Sequence, residues 1–180
     1  PGSHRDVFRK LESTIAREVG VQPVWGLVGV GKSTLCKTLQ HTAALRQDQV
    51  MIDMTSCWDK DGTKEVIDTL QALRSEASAA KKQVVWLADH VDHVAISRIV
   101  VVCTHIRRCH PGDLVIIFSN VATARYIRLL QTLPLIRIPA LSKQDVEELI
   151  TTRLKVSGAK ITFSSEACKR IFVLARGRPG

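Results

Sequence analysis

A chain of 180 residues is long enough for one domain, or one domain with a small appendage, and at this size it buries roughly 70% of its unfolded surface. Hydrophobic residues make up 45% of it, yet no apolar run approaches the ~18 residues of a membrane span, so the sequence reads as a soluble, globular, non-membrane protein. The net charge of +9 favours an acidic partner, and five cysteines, an odd number with no C-x-x-C pair, argue against a disulfide framework and for a reducing compartment.

Pro1-Gly2-Ser3-His4 carry no pattern. From Arg5 to Glu18, Val7-Phe8, Leu11 and Ile15 recur every three to four residues among charges, which predicts an amphipathic helix ending near Gly20. Pro23-Val24-Trp25 with Leu27-Val28 is an apolar run of strand length. Within and after it, Gly26 to Thr34 reads Gly-Leu-Val-Gly-Val-Gly-Lys-Ser-Thr and matches the phosphate-binding pattern G-x-x-x-x-G-K-[ST] without a mismatch.

A polyphosphate held against the main chain needs residues that tolerate unusual dihedrals and lack a Cβ, and Gly26, Gly29 and Gly31 supply them around Val30. Lys32 then reaches the β- and γ-phosphates, Ser33 offers its hydroxyl to Mg²⁺, and Thr34 assists at the start of the next helix, whose positive end faces the anion. Leu35, Leu39 and Ala43 carry the helical spacing that this motif requires behind it.

Val50 to Met54 is a short apolar run of strand type, and Ser56 to Thr63 is a polar, turn-rich loop. A helix follows from Lys64 to about Ala80, with Val66, Ile67, Leu70 and Leu73 on one face. Val84-Val85-Trp86-Leu87-Ala88-Asp89 is a buried strand whose tip presents a carboxylate, the group that holds the Mg²⁺ hydration shell in a phosphate-loop protein. Ala95 to Cys109 reads as a helix. Cys103, His105, Cys109 and His110 fall within or just after it and not in a spaced knuckle pattern, so buried thiols and surface histidines are expected there, not zinc.

Leu114 to Phe118 is a third buried strand, ending in Ser119-Asn120; a helix from Ala122 to Leu133 and a last strand around Leu135 to Ile138 complete the alternation. Strands alternating with helices predict an α/β fold, a three-layer α/β/α arrangement on a five-stranded parallel sheet with its ligand at the C-terminal strand edge. Residues 1–140 form this core. Residues 141–180 differ: helices from Ser142 to Val156 and from Ser164 to Ala175, each with a serine N-cap, make a small helical lid. From Thr151 onward seven lysines and arginines stand against Glu166 alone, which makes the lid the candidate surface for duplex DNA or another acidic partner.

The order of these motifs resembles the AAA+ ATPases. Pro134 to Ile150, Arg153-Leu154, Ile161 to Ala167 and Gly177-Arg178-Pro179-Gly180 look like the lid of the origin-recognition initiators and of the ExeA and transposition-type ATPases. The resemblance covers essentially the whole chain. It implies ATP and Mg²⁺ as ligands, oligomers with other AAA+ subunits, and an intracellular protein, nuclear for a eukaryotic initiator and otherwise cytoplasmic. It makes Asn120 the polar sensor of the γ-phosphate, lying between the phosphate loop and the Asp89 strand. Arg128 falls where such proteins place the arginine finger that reaches a neighbouring subunit's nucleotide, with Arg125 the second candidate.

Two departures stand out. The family has Glu after the strand-terminal Asp, whereas this chain reads Asp89-His90-Val91-Asp92. Hydrolysis then depends on His90 as a base or on Asp92 reaching around the strand tip. Gly180 stands where the G-x-P-R pattern carries its second sensor arginine, so the lid is expected to be incomplete. The first expectation is therefore a Mg-ATP-binding AAA+ module of initiator or transposition-regulator type. A signalling switch of the NACHT or NB-ARC kind, a metabolite kinase and a degenerate ring subunit remain as alternatives. The absence of an N-K-x-D motif favours adenine over guanine.

Overall fold

Five short runs, each carrying valine or isoleucine, pair as parallel strands in a computed structural model that describes residues 2–43, 49–78, 83–120, 130, 132–159 and 161–179. They are β1 (Gly20–Trp25), β2 (Gln49–Asp53), β3 (Gln83–Ala88), β4 (Leu114–Ser119) and β5 (Ile136–Arg137), in the spatial order β2-β3-β4-β1-β5. Every residue of β4 is buried, as expected of a central parallel strand covered on both faces.

Alternation along the strands splits the core in two. Val84, Trp86 and Ala88 of β3 point to one face with Val115 and Ile117 of β4; there they meet Val66 and Leu70 of α3 (Thr63–Ser78) and Ile99, Val102 and Ile106 of α4 (Ile96–Cys109). Val85 and Leu87, with Ile116 and Phe118, point to the other, against Leu11 and Ile15 of α1 (Gly2–Arg17) and Leu35 and Leu39 of α2 (Lys32–Ala43). This is the α/β/α arrangement that the strand–helix alternation predicts.

Three local expectations are corrected. Helix α1 starts at Gly2 and not at Arg5, so the patternless first residues belong to it. The polar segment after β2 contains a 3₁₀ turn, Thr55–Asp59, that buries Cys57 and Trp58; Arg98 of α4 holds it by donating to the carbonyls of Trp58, Lys60 and Asp61 at 3.4, 2.9 and 2.9 Å. Leu27 and Val28, read as part of the first strand run, are exposed in the loop beyond β1. The helix expected over 122–133 lies outside the described residues apart from Leu130, Thr132 and Leu133, and Arg125 and Arg128 fall in the undescribed part.

The last two helices, α5 (Lys143–Val156) and α6 (Ser165–Ala175), carry the expected serine caps. Ser142 and Asp145 form a reciprocal capping box, and the Asp145 carboxylate also accepts from the Gly2 N–H at 2.6 Å and the Ser3 hydroxyl at 2.8 Å. A side chain that caps its own helix thus joins α5 to α1. Beyond α6, Gly177 at φ 69° gives its carbonyl to the Leu141 N–H at 2.8 Å, and a Cβ there would lie 2.4 Å from the Leu141 carbonyl oxygen. Only glycine fits that closure.

At the opposite edge of the sheet Asp113, just before β4, is 3% exposed. It accepts from Arg74 Nε at 2.9 Å, from the Trp86 indole N–H at 3.0 Å and from the Val84 N–H at 3.3 Å. One carboxylate thereby ties α3 to β3 and β4. Asp113→Ala removes the acceptor that all three share, and we expect a loss of about 3–5 kcal/mol in urea denaturation with an unchanged m-value.

Asp145 gives a pH signature. Burial pushes its carboxyl up, but hydrogen bonds from Ser3, Ser142 and Gly2 outweigh that and hold it at about 2, below its ordinary 3.8. Because the folded value is depressed, the stabilisation is complete above the unfolded value and disappears as pH falls from there through about 2. Asp145→Asn should lose that part of the acid dependence of the melting temperature between pH 4 and 2, while Asp145→Ala at pH 7 costs about 1 kcal/mol through the cap alone.

Candidate functional site

Strand β1 is held between β4 and β5, with Trp25 opposite both Ser119 and Arg137. The Gly26 N–H adds one more ladder bond, to the Ser119 carbonyl at 3.2 Å, and the chain then leaves the sheet. Gly29 and Gly31 adopt φ 76° and 99°, values that disfavour an L side chain, and they curl the loop back so that α2 opens at Lys32. The first helical bond runs from the Leu35 N–H to the Gly31 carbonyl at 2.9 Å. The amides of the first turn and the helix dipole therefore point into the loop. Lys32 Nζ donates to the carbonyls of Gly26 and Leu27 at 3.0 and 3.2 Å, which keeps the ammonium over the loop's mouth. Val30 is buried behind it, and Ser33 and Thr34 follow in the first turn.

The tips of the neighbouring strands face this loop. Asp89 follows β3 and is 6% exposed, while His90 after it takes the left-handed conformation at φ 54°, ψ 29°. His90 Nε2 stands 3.4 Å from Ser33 Oγ and 3.6 Å from Asp89 Oδ2, so the ring bridges the two expected metal-holding groups. Asn120 follows β4, the strand between β1 and β3, and its main-chain N–H donates to Asp92 Oδ1 at 2.9 Å. Asp92 thus ties two strand tips together.

Asp53 at the end of β2 belongs to the same edge. Burial pushes its carboxyl up, but hydrogen bonds from Thr55 and Gln40 prevail, with the nearby His90 adding to them, and the group stays below its ordinary value. Asp53 thus remains ionised beside the Asp89–His90 pair, a carboxylate that the sequence reading did not single out.

Beside the loop lies a largely apolar cavity of about 460 Å³. Phe8 of α1, Val30, Gly31 and Leu35 of the loop and α2, Leu141, and Leu149 and Arg153 of α5 wall it, and Pro179 closes it against Gly31. A cavity of that size and lining suits an aromatic heterocycle. Sequence reasoning missed it because its walls come from α1, the loop and the lid and no motif spans them. The hydrophobic residues Phe8 and Leu149, on helix faces turned towards a common neighbour, were the only signal.

The chain therefore brings together the loop (Gly26, Gly29, Val30, Gly31, Lys32, Ser33, Thr34), Asp89 with His90, and Asn120. Arg128 lies outside the described residues. The donors fit a magnesium–nucleotide pair chemically: a glycine-curled loop of amides with a lysine, then a hydroxyl and a carboxylate at its mouth.

No family model and no curated protein matches the sequence. Among solved structures the fold resembles PCH-2 of C. elegans, with a TM-score of 0.56 and 18% identity over 87% of this chain and 46% of that one. It also resembles the RuvB Holliday junction branch migration motor of Thermotoga maritima, with a TM-score of 0.60 and 13% identity over 99% and 57% of the two chains. A DNA replication initiation factor matches with a TM-score of 0.52 and 11% identity over 95% and 59%. The chain spans about half the length of these structures. At such identities the likeness concerns the fold alone: a five-stranded parallel sheet between helices, of the α/β P-loop-like kind.

The cysteines offer a check on the packing around the site. Burial drives the Cys36 thiol, on α2, up to about 12, with the carboxylates of Asp89 and Asp53 adding to the effect; burial takes Cys103 to about 12, and burial with the Asp53 carboxylate raises Cys57. Cys109 is exposed. Iodoacetamide at pH 8 should alkylate Cys109 in the folded chain and reach Cys36, Cys57, Cys103 and Cys168 only in denaturant, as read by peptide mass spectrometry.

Proposed function

We propose that the chain is a Mg-ATP-binding AAA+ module whose nucleotide state controls its association with neighbouring AAA+ subunits on duplex DNA. The observation that carries this is the juxtaposition of the phosphate loop with the adjoining cavity: the loop opens onto the edge where Asp89 and Asn120 converge, and the cavity has the lid as one wall. In this reading the amides of Gly26 to Gly31 cradle the phosphates and Lys32 balances their charge. Ser33 and Asp89 hold the Mg²⁺, and Asn120 senses the γ-phosphate. The base enters between Phe8, Leu149 and Pro179. Residues 1–140 act as the ATPase core and 141–180 as the lid. Arg128, or Arg125, serves the nucleotide of the adjacent subunit.

The DNA part rests on charge. Arg153, Lys155, Lys169, Arg170 and Arg176 are all exposed on the lid, with few carboxylates beside them. Two of the similar structures are by name a Holliday junction motor and a replication initiation factor.

A second reading, an ATP-gated signalling switch of the NACHT or NB-ARC type, is favoured by one observation. Asp92, the carboxylate that would stand in for the missing Glu, commits an oxygen to the Asn120 main chain. A site that positions water poorly holds ATP for long periods.

The deciding experiment incubates the chain with Mg-ATP for an hour, isolates the complex and identifies the bound nucleotide. Stoichiometric retention is expected, and Lys32→Ala should weaken binding about 10- to 100-fold, the worth of a charge-assisted contact to phosphate. ADP in the complex supports a working ATPase, intact ATP supports the switch, and no nucleotide overturns both. A mobility shift of duplex DNA at moderate salt with ATP present tests the DNA part; its absence would remove DNA from the proposal for this chain.

A further inference from the structure

His90 is where the site departs furthest from an all-oxygen metal centre. Its backbone occupies the left-handed region at φ 54°, ψ 29°, which costs a residue with a Cβ about 1 kcal/mol or more. Its side chain is 63% exposed, so burial does not account for the placement. What the conformation achieves is the aim of the ring: Nε2 lies 3.4 Å from Ser33 Oγ and 3.6 Å from Asp89 Oδ2. Two donors in adjacent positions on one octahedral ion, with bonds of about 2.1 Å, stand about 3.0 Å apart. The imidazole nitrogen is therefore within about 0.6 Å of the spacing that a shared ion would impose on it and each of its neighbours. Asp53, kept ionised by Thr55 and Gln40, adds negative charge at the next strand tip.

Imidazole nitrogen is a poor ligand for Mg²⁺, which prefers oxygen, and a good one for first-row transition cations. We propose that His90 Nε2 is a direct ligand of the divalent cation at the nucleotide site, together with Ser33 Oγ and Asp89, and that it shifts the cation preference of this chain from Mg²⁺ towards Mn²⁺ and Co²⁺. The proposal rests on the nucleotide-binding reading above and concerns which metal accompanies the nucleotide. The ring nitrogen enters as a donor through its lone pair in place of a water molecule.

The test is spectroscopic. Chain labelled with ¹⁵N at histidine is loaded with Mn²⁺·ADP, and pulsed EPR of the bound Mn²⁺ is examined for the coupling of a directly ligated ¹⁵N. The coupling is expected in the wild-type chain and absent in His90→Glu, which returns an oxygen donor to the position. In parallel, the ratio of ADP dissociation constants with Mg²⁺ and with Mn²⁺ should favour Mn²⁺ by about tenfold more in the wild type than in His90→Glu, the order of effect seen when a metal site loses a supporting group. Bound Mn²⁺·ADP without histidine coupling in the wild type overturns the proposal and leaves nucleotide binding intact. Failure of ADP to bind with either cation overturns the nucleotide-binding reading and the proposal with it. The wild-type spectrum decides the ligand question whether or not the variant folds.

Discussion

The parallel pairing of β1 with β4 is the constraint on which the rest depends. Its register sets Trp25 opposite Ser119, and the extra bond from the Gly26 N–H to the Ser119 carbonyl fixes the height at which the chain leaves the sheet. From that point the loop has only a few residues before α2 must pack Leu35 and Leu39 against Val85, Leu87 and Ile116. The glycines at positive φ meet that demand. Pairing of β3 on the far side of β4 then brings Asp89 to the same edge as the loop. The convergence of loop, carboxylate and Asn120 is thus a consequence of strand order, to which Asp92 adds a bond between two of the strand tips.

Much of this was legible in the sequence, for physical reasons that differ from element to element. The phosphate loop and β3 were readable because each combines a period with a demand that few residues satisfy: glycine where φ is positive, and an unbroken apolar run where both faces of a sheet are covered. Ser142 and Ser164 were readable as caps because capping is local chemistry. Trp58 was not, since a polar neighbourhood in sequence says nothing about Arg98 arriving from α4 to satisfy its carbonyl. Nor was the partner of Asp92, which depends on how far β4 extends relative to β3. His90 was visible as a departure from the family pattern, but its left-handed backbone and its position against Ser33 are three-dimensional facts.

The two carboxylates at opposite edges of the sheet illustrate a division of labour. Asp113 is buried and satisfied by Arg74, Trp86 and the Val84 N–H, so its charge serves only to hold elements together. Asp89 is nearly as buried, yet among the described residues the group beside its carboxylate is His90, at 3.6 Å, longer than a hydrogen bond. A carboxylate kept in that condition at the mouth of an amide-lined loop is available to an ion. The contrast separates an edge whose buried carboxylate is fully occupied in holding elements together from the edge where the proposed site lies.

The closure at Gly177 has a further consequence. Because its carbonyl is bonded to the Leu141 N–H, the segment that carries α5 and α6 leaves the core and returns to it at the same residue. Residues 141–177 thus form a closed loop tied at its base by the Leu141–Gly177 bond and to α1 through Asp145 and Glu148, and exchanges at its other exposed positions leave the register of the sheet untouched. Within it, substitution is tolerated at the exposed positions and costly at Asp145, whose carboxylate accepts hydrogen bonds from Gly2, Ser3 and Ser142 and so joins two helices, and at Gly177, where a side chain has no room.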